Sequence, residues 1–102
     1  SKFGGISAMR RARDLCVTLG AKICIEDTWG SDVTTAAALH LAAATPEHAI
    51  MNSCALSAYV APRLDPKAQV RVGGLIAPPD GPGLGVSPHP EMLGAPILDL
   101  TG

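Results

Sequence analysis

The stretch Ile23-Cys24-Ile25-Glu26-Asp27-Thr28-Trp29-Gly30-Ser31-Asp32 decides how this chain reads. It opens as a short apolar strand and empties into a compact loop that holds three carboxylates, a Trp, a Gly and a Ser. The alanine-rich run 33–44 follows at once and reads as a helix. A buried strand that delivers a polar loop and then a helix is the repeating unit of α/β proteins. In such proteins ligand chemistry gathers at the carboxyl ends of the strands. Residues 26–32 are therefore the first candidate site.

Upstream of this stretch, the spacing of Ala8, Ala12, Leu15, Cys16 and Leu19 puts them on one face of a helix over 8–19. Ser7 stands where an N-cap is expected and Gly20 where a left-handed stop is expected. Arg10, Arg11 and Arg13 fall on the other face and read as solvated. The strand itself spans 21–25 and is nearly all apolar apart from Lys22, as buried parallel strands tend to be. Ser31 or Asp32 caps the second helix, and Thr45-Pro46 ends it. Residues 49–51 read as a second short strand that enters a polar end at Asn52-Ser53-Cys54. This alternation predicts parallel strands joined by right-handed crossovers.

Beyond Ala55 the pattern loosens. Residues 56–60 read as helical, up to Pro62, and Val70-Arg71-Val72 as an edge strand. Residues 77–102 are dominated by Pro and Gly, an irregular tail whose scattered Leu, Val, Met and Ile imply that it packs on something. The division expected is a partial barrel over 1–55 and the barrel's end plus the tail over 56–102. The beginning, Ser1 to Ile6 with Gly4-Gly5, reads as a loop cut from the middle of a fold.

Composition narrows the function classes. The 102 residues carry 8 basic and 9 acidic side chains, a net charge of -1. That excludes a basic nucleic-acid footprint and a polybasic membrane surface. Aromatics make up 3% and hydrophobic residues 47%, so the core must be built mainly from Ala, Leu, Ile and Val. Cys16, Cys24 and Cys54 form no CxxC pair and fit reduced thiols of a cytoplasmic protein. The first five residues lack the features of a signal peptide. The apolar run 36–44 is interrupted by His40 and falls well short of the roughly 20 residues a bilayer span needs.

Each candidate residue has a chemical and a plain reading. Glu26 and Asp27 could bind a substrate ammonium, ligate a metal or move protons; they could equally be solvated strand-end charges. Asp32 reads as a helix cap. Trp29 either stacks on a cationic or planar ligand or anchors its loop against the core. Cys54 either lines a pocket or is a buried inert thiol. Lys2 beside Gly4-Gly5 is weak evidence for phosphate binding, since neither a GxGxxG nor a P-loop pattern is present. His40, His48 and His89 lack metal-ligand spacing with each other or with the cysteines, and His40 reads as a partly buried packing residue.

Taken together, Lys2-Phe3-Gly4-Gly5-Ile6-Ser7, Ala12-Arg13-Asp14-Leu15-Cys16, Leu19-Gly20, the stretch Ile25 to Asp32, Ala38-Leu39-His40-Leu41-Ala42 before Thr45-Pro46, and Pro82-Gly83-Leu84-Gly85-Val86 resemble the carboxyl-terminal part of an enolase-superfamily enzyme. The type is that of mandelate racemase and muconate lactonizing enzyme. The densest part, Glu26 to Pro46, resembles the branch acting on proline derivatives, the cis-3-hydroxy-L-proline dehydratases and hydroxyproline-betaine epimerases. The resemblance implies an α/β architecture: strands seven and eight of a modified (β/α)-barrel with their helices, and a tail returning toward a capping domain. It implies removal of a proton α to a carboxylate, with Mg²⁺ as cofactor and lysines as acid and base. The family's metal ligands and both lysines lie on strands preceding Ser1, so this chain is expected to hold no catalytic residue and no metal ligand. Lys2 matches a later basic position of the motif and not the base. Glu26, Asp27, Trp29, Asn52 and Cys54 would border the substrate pocket, Asp27 facing a proline-type ammonium. The partners implied are a small amino-acid or carboxylate substrate, the remainder of the parent enzyme and further copies in a homo-oligomer. The competing reading is a non-catalytic α/β association module whose open sheet edges are covered by a partner.

Overall fold

A computed structural model describes residues 2–98 and 100. Its order is a helix α1 (Ile6–Thr18), a strand β1 (Ile23–Ile25), a helix α2 (Asp32–Ala43) and a strand β2 (Ile50–Ser53). Two short 3-10 turns follow, at Leu56–Tyr59 and Pro90–Leu93. β1 and β2 pair in parallel, with Ile23 opposite Ile50, Cys24 opposite Asn52 and Ile25 opposite Ser53. An irregularity between Ile23 and Cys24 shifts the register by one residue. α2 is the crossover and packs on both strands, as a parallel pair requires.

The alternation and the parallel pairing expected from the sequence are present; several boundaries differ. α1 starts two residues before the expected Ala8. Gly5 occupies the cap position at φ 130°, a conformation open to Gly, and Ser7 lies inside the helix without capping it. At the other end Gly20 adopts φ 68° and stops the helix as expected. α2 starts at Asp32 after Ser31, whose side chain makes no cap bond. No edge strand forms at 70–72. Val72 and Leu75 exchange backbone hydrogen bonds of 2.8 and 3.0 Å across Gly73-Gly74, giving a tight turn; among the described residues no neighbouring strand offers a ladder.

The buried apolar residues are Ile25, Ala36, Leu39, Leu41, Ala49, Ala55 and Ala68. Alanine thus makes up most of the core, without the valines the composition suggested. Ile25 sits at its centre, 1% exposed beneath α2. α1 buries none of its residues fully. It is held to α2 partly by Arg13, whose Nη1 donates 2.9 Å to the Ala44 carbonyl at the helix's carboxyl end. A cation there also opposes the helix dipole. Arg13 is therefore not a solvated surface residue, whereas Arg10 and Arg11 are exposed.

Part of the tail folds back. The His89 amide donates to the Leu64 carbonyl at 2.9 Å, and His40 Nε2 lies 3.2 Å from the Leu84 carbonyl. His40 is thereby the partly buried packing residue expected. Farther along, Leu93, Ile97 and Leu98 stay exposed. Among the described residues no helix is long and apolar enough to cross a membrane.

Candidate functional site

The two strands end side by side, and their residues divide between two faces. On the face under α2, Ile25 is buried, and Asp27, two residues on, is buried with it at 6% exposure. On the opposite face Cys24, Glu26 and Asn52 are exposed and touch one another. The Cys24 thiol lies 3.2 Å from Glu26 Oε1 and within hydrogen-bond distance of Asn52 Oδ1, so its one proton serves one acceptor at a time. Desolvation against the sheet, then the hydrogen bond and charge of Glu26, raise the pKa of this thiol. From sequence Cys24 is expected only as a reduced thiol, not as a site residue. The period of two in a strand, which puts Cys24 on the face of Glu26, was the signal available.

Asp27 is fully engaged within the chain. Thr35 Oγ1, in the first turn of α2, donates to its Oδ2. The Leu56 amide donates to Oδ1 at 3.2 Å and to Oδ2 at 3.1 Å, and the Cys54 thiol donates to Oδ1 at 3.2 Å. The carboxylate thus joins the loop after β1, the first turn of α2 and the segment after β2. Burial pushes the Cys54 thiol up to about 11, and donation to the Asp27 carboxylate adds to the rise. Cys54 is therefore a neutral thiol at physiological pH, not a nucleophile.

Trp29 is 72% exposed, so it does not anchor its loop in the core. It meets Tyr59, its ring centroid 6.1 Å away and the planes tilted by 54°. This pairing of two exposed rings gives the strand ends an aromatic rim.

Asp32 is the largest departure from expectation. It is 2% exposed, and its carboxylate turns away from the helix end it was expected to cap. Arg63 Nε and Nη2 reach its Oδ1 at 2.9 and 2.5 Å, and the Asp65 amide reaches Oδ2 at 3.0 Å. Burial alone would raise the Asp32 pKa. The Arg63 guanidinium, the Asp65 amide and the Ser57 hydroxyl outweigh it and hold the carboxyl below its ordinary value. Asp65 in turn accepts from the Lys67 amide at 2.8 Å and the Ser87 amide at 2.7 Å. Those two bonds lower its pKa against an opposing desolvation. A polar chain thus runs from α2 through Arg63 and Asp65 to the tail.

These engagements decide whether the chain's own carboxylates could hold a metal. Asp27 is taken by three donors, Asp32 by a guanidinium and an amide, and Asp65 by two amides. Among the described residues no three of His, Cys, Asp and Glu converge on a point where a metal ion could sit. The residues present do not fit a magnesium site. An apolar cleft of about 140 Å³ opens between α1, β1 and α2, lined in part by Ile6, Met9, Ile25 and Leu41. Glu26 and Asp27 line it at the strand end, whereas Cys24 and Asn52 do not, so Glu26 borders both this cleft and the open face of the sheet.

Parallel strands crossed by a helix, with polar groups at the strand ends, define an α/β unit of the kind that builds barrels and doubly wound sheets. The model of the enolase C-terminal domain-like family matches residues 1–92, and the chain belongs to that family. It is 39% identical over 97 residues to a curated cis-3-hydroxy-L-proline dehydratase of Roseibium aggregatum, a match covering 95% of this chain and 26% of that protein. It superposes on a mandelate racemase/muconate lactonizing enzyme from Roseovarius nubinhibens with TM-score 0.85 and 37% identity. An enolase-superfamily member from the same organism, complexed with magnesium, gives TM-score 0.86 and 42% identity. Each superposition covers 93% of this chain and 26% of the other. The chain therefore spans about a quarter of the length of these relatives and is a fragment of their barrel domain.

Proposed function

We propose that this chain is the carboxyl-terminal part of a magnesium-dependent enzyme of the mandelate racemase/muconate lactonizing type. The enzyme removes the proton α to the carboxylate of a proline-like amino acid, as an epimerase, racemase or dehydratase. The observation that carries the reading is the sheet face turned away from α2, where Cys24, Glu26 and Asn52 stand uncovered and adjacent. In a closed barrel that face is interior, and the ends of its strands carry the site. The similarity to a cis-3-hydroxy-L-proline dehydratase supports the substrate class.

In this reading the chain supplies one wall of the pocket. The exposed carboxylate of Glu26 and the exposed ring of Trp29 give a surface suited to a cationic ring nitrogen. The Asn52 amide faces the substrate from the neighbouring strand. Asp27 and Cys54 stand behind this wall. The acid, the base and the metal ligands belong to strands outside the chain, and Lys2 is not assigned as the base. Residues 1–55 are the barrel portion, and 56–102 close it and run toward the capping domain. The enzyme works in the cytoplasm as a homo-oligomer, its thiols reduced.

The test is turnover by the enzyme that carries this sequence. With Mg²⁺ and a panel of hydroxyproline and hydroxyproline-betaine stereoisomers, at least one should be epimerised or dehydrated, and Trp29→Ala should raise its KM more than it lowers kcat. Inactivity toward the whole panel, alongside activity on an unrelated carboxylate, refutes the substrate class.

A further inference from the structure

We infer that Asp27 is a positioning residue, which pins the loops after both strands to the first turn of α2 and so sets the spacing between Glu26 with Trp29 and Asn52. The inference rests on the pocket wall proposed above, and it gives Asp27 a different part from contact with a substrate ammonium.

The geometry points this way. A substrate-binding carboxylate keeps an oxygen directed at its ligand. Both oxygens of Asp27 are occupied, by the Thr35 hydroxyl, the Leu56 amide and the Cys54 thiol, and the residue is 6% exposed. Its neighbours Glu26 and Thr28 are exposed. The chain turns Asp27 inward by the period of the strand, under α2 together with Ile25. Its donors come from three separate segments: Thr35 from α2, Cys54 from the end of β2, and Leu56 from the 3-10 turn that carries Tyr59. Tyr59 is the ring against Trp29. One buried carboxylate therefore ties together every segment that bears a candidate wall residue. Bonds to a charged acceptor are stronger than neutral ones, and a partner left unsatisfied in such a place is costly.

Thr35 separates positioning from contact, because it is 3% exposed and belongs to a helix on the far side of the sheet from the substrate. In the enzyme carrying this sequence, Asp27→Asn and Thr35→Val should each lower kcat/KM about tenfold, the effect of losing one charged hydrogen bond. Thr35→Ser, which keeps the hydroxyl, should stay close to the parent. The double variant should be no worse than Asp27→Asn alone. Full activity in Thr35→Val beside an inactive Asp27→Asn would show direct action on substrate and overturn the inference. Lower thermal stability with unchanged kcat/KM would overturn it too.

A second readout needs no substrate, so it stands even if the proposed reaction fails. Asp27→Asn removes the charge facing the Cys54 thiol, while Glu26 remains nearby. Alkylation of Cys54 at mildly alkaline pH, resolved by peptide mass, should speed up measurably, because the thiolate no longer faces the Asp27 carboxylate and the segment after β2 is less tightly held. An unchanged rate would mean that Asp27 does not hold the segment after β2.

Discussion

Arg63→Met tests the polar chain that fastens the end of the molecule to α2. Met fills much of the same volume and removes the charge. Asp32, 2% exposed, would then lose its bonds of 2.9 and 2.5 Å and keep only neutral donors, the Asp65 amide at 3.0 Å and the Ser57 hydroxyl. Removing one partner of a buried pair costs about 3–5 kcal/mol, because an uncompensated charge stays behind. The Arg63 side chain is 26% exposed, so some water already reaches it, and a figure near the lower end, about 3 kcal/mol, is appropriate. Asp32→Asn should cost less, about 1–2 kcal/mol, because the guanidinium it strands can turn to solvent.

The assay is amide hydrogen exchange at Asp65 and Ser87, whose N–H groups lie within this chain of bonds. Local opening free energy appears there directly. Arg63→Met should accelerate both amides by about two decades, since each 1.4 kcal/mol is a factor of ten. Asp32→Asn should accelerate them by about one. Combining the two should give less than the sum, since the buried charge that made Arg63→Met costly is gone. Equal effects from the two single variants, or simple additivity, would refute the account of Asp32 as a charge maintained by Arg63.

Three further outcomes follow from the same geometry. Asp32 and Asp65 both have folded pKa values below their unfolded ones, so the unfolded chain takes up protons first as pH falls. Their contribution is complete above about pH 4 and is lost below it, and exchange protection at Lys67 and Ser87 should fade in that range while the amides of α2 outlast it. Ile25→Ala should lower stability by about 2–5 kcal/mol, read from the urea midpoint at unchanged slope, because the residue is 1% exposed at the centre of a small core. Gly85→Ala should release the His40–Leu84 contact, since a Cβ there would lie 2.8 Å from Pro79 Cβ and 2.9 Å from the Asp80 carbonyl at a φ of 69°; the shift of the His40 ring resonances reports it.

What the sequence could and could not disclose follows the range of the interactions. β1, its polar loop and α2 were legible because local pattern determines them: apolar run, turn residues, Ala-rich helix. The pairing of β1 with β2 followed from the helix between them. Cys24 beside Asn52 was one step further, available from strand periodicity and a parallel register together. The partnership of Asp32 with Arg63 spans 31 positions, and no local rule ties a residue in the first turn of a helix to an arginine in a Pro-bounded loop. Asp32 had an adequate local explanation as a cap, and that explanation concealed the long-range one. Asp27 shows the same effect in reverse. Its place after a strand suggested a ligand, and only the Thr35, Cys54 and Leu56 donors show that its oxygens are already taken. Residues 70–72 have the composition of a strand and lack a neighbour to pair with, which composition does not record.

On the proposal above, this chain supplies a wall of the pocket while acid, base and metal ligands come from elsewhere in the enzyme. The most direct measurement is exchange of the α-hydrogen of a hydroxyproline substrate with deuterium from ²H₂O in the presence of Mg²⁺, followed by proton NMR. Loss of the α-proton signal, by exchange or by dehydration, is expected with the full-length enzyme and none with the 102-residue chain alone. Exchange catalysed by the isolated chain, or a full-length enzyme that leaves the α-proton in place on every proline derivative, would contradict it.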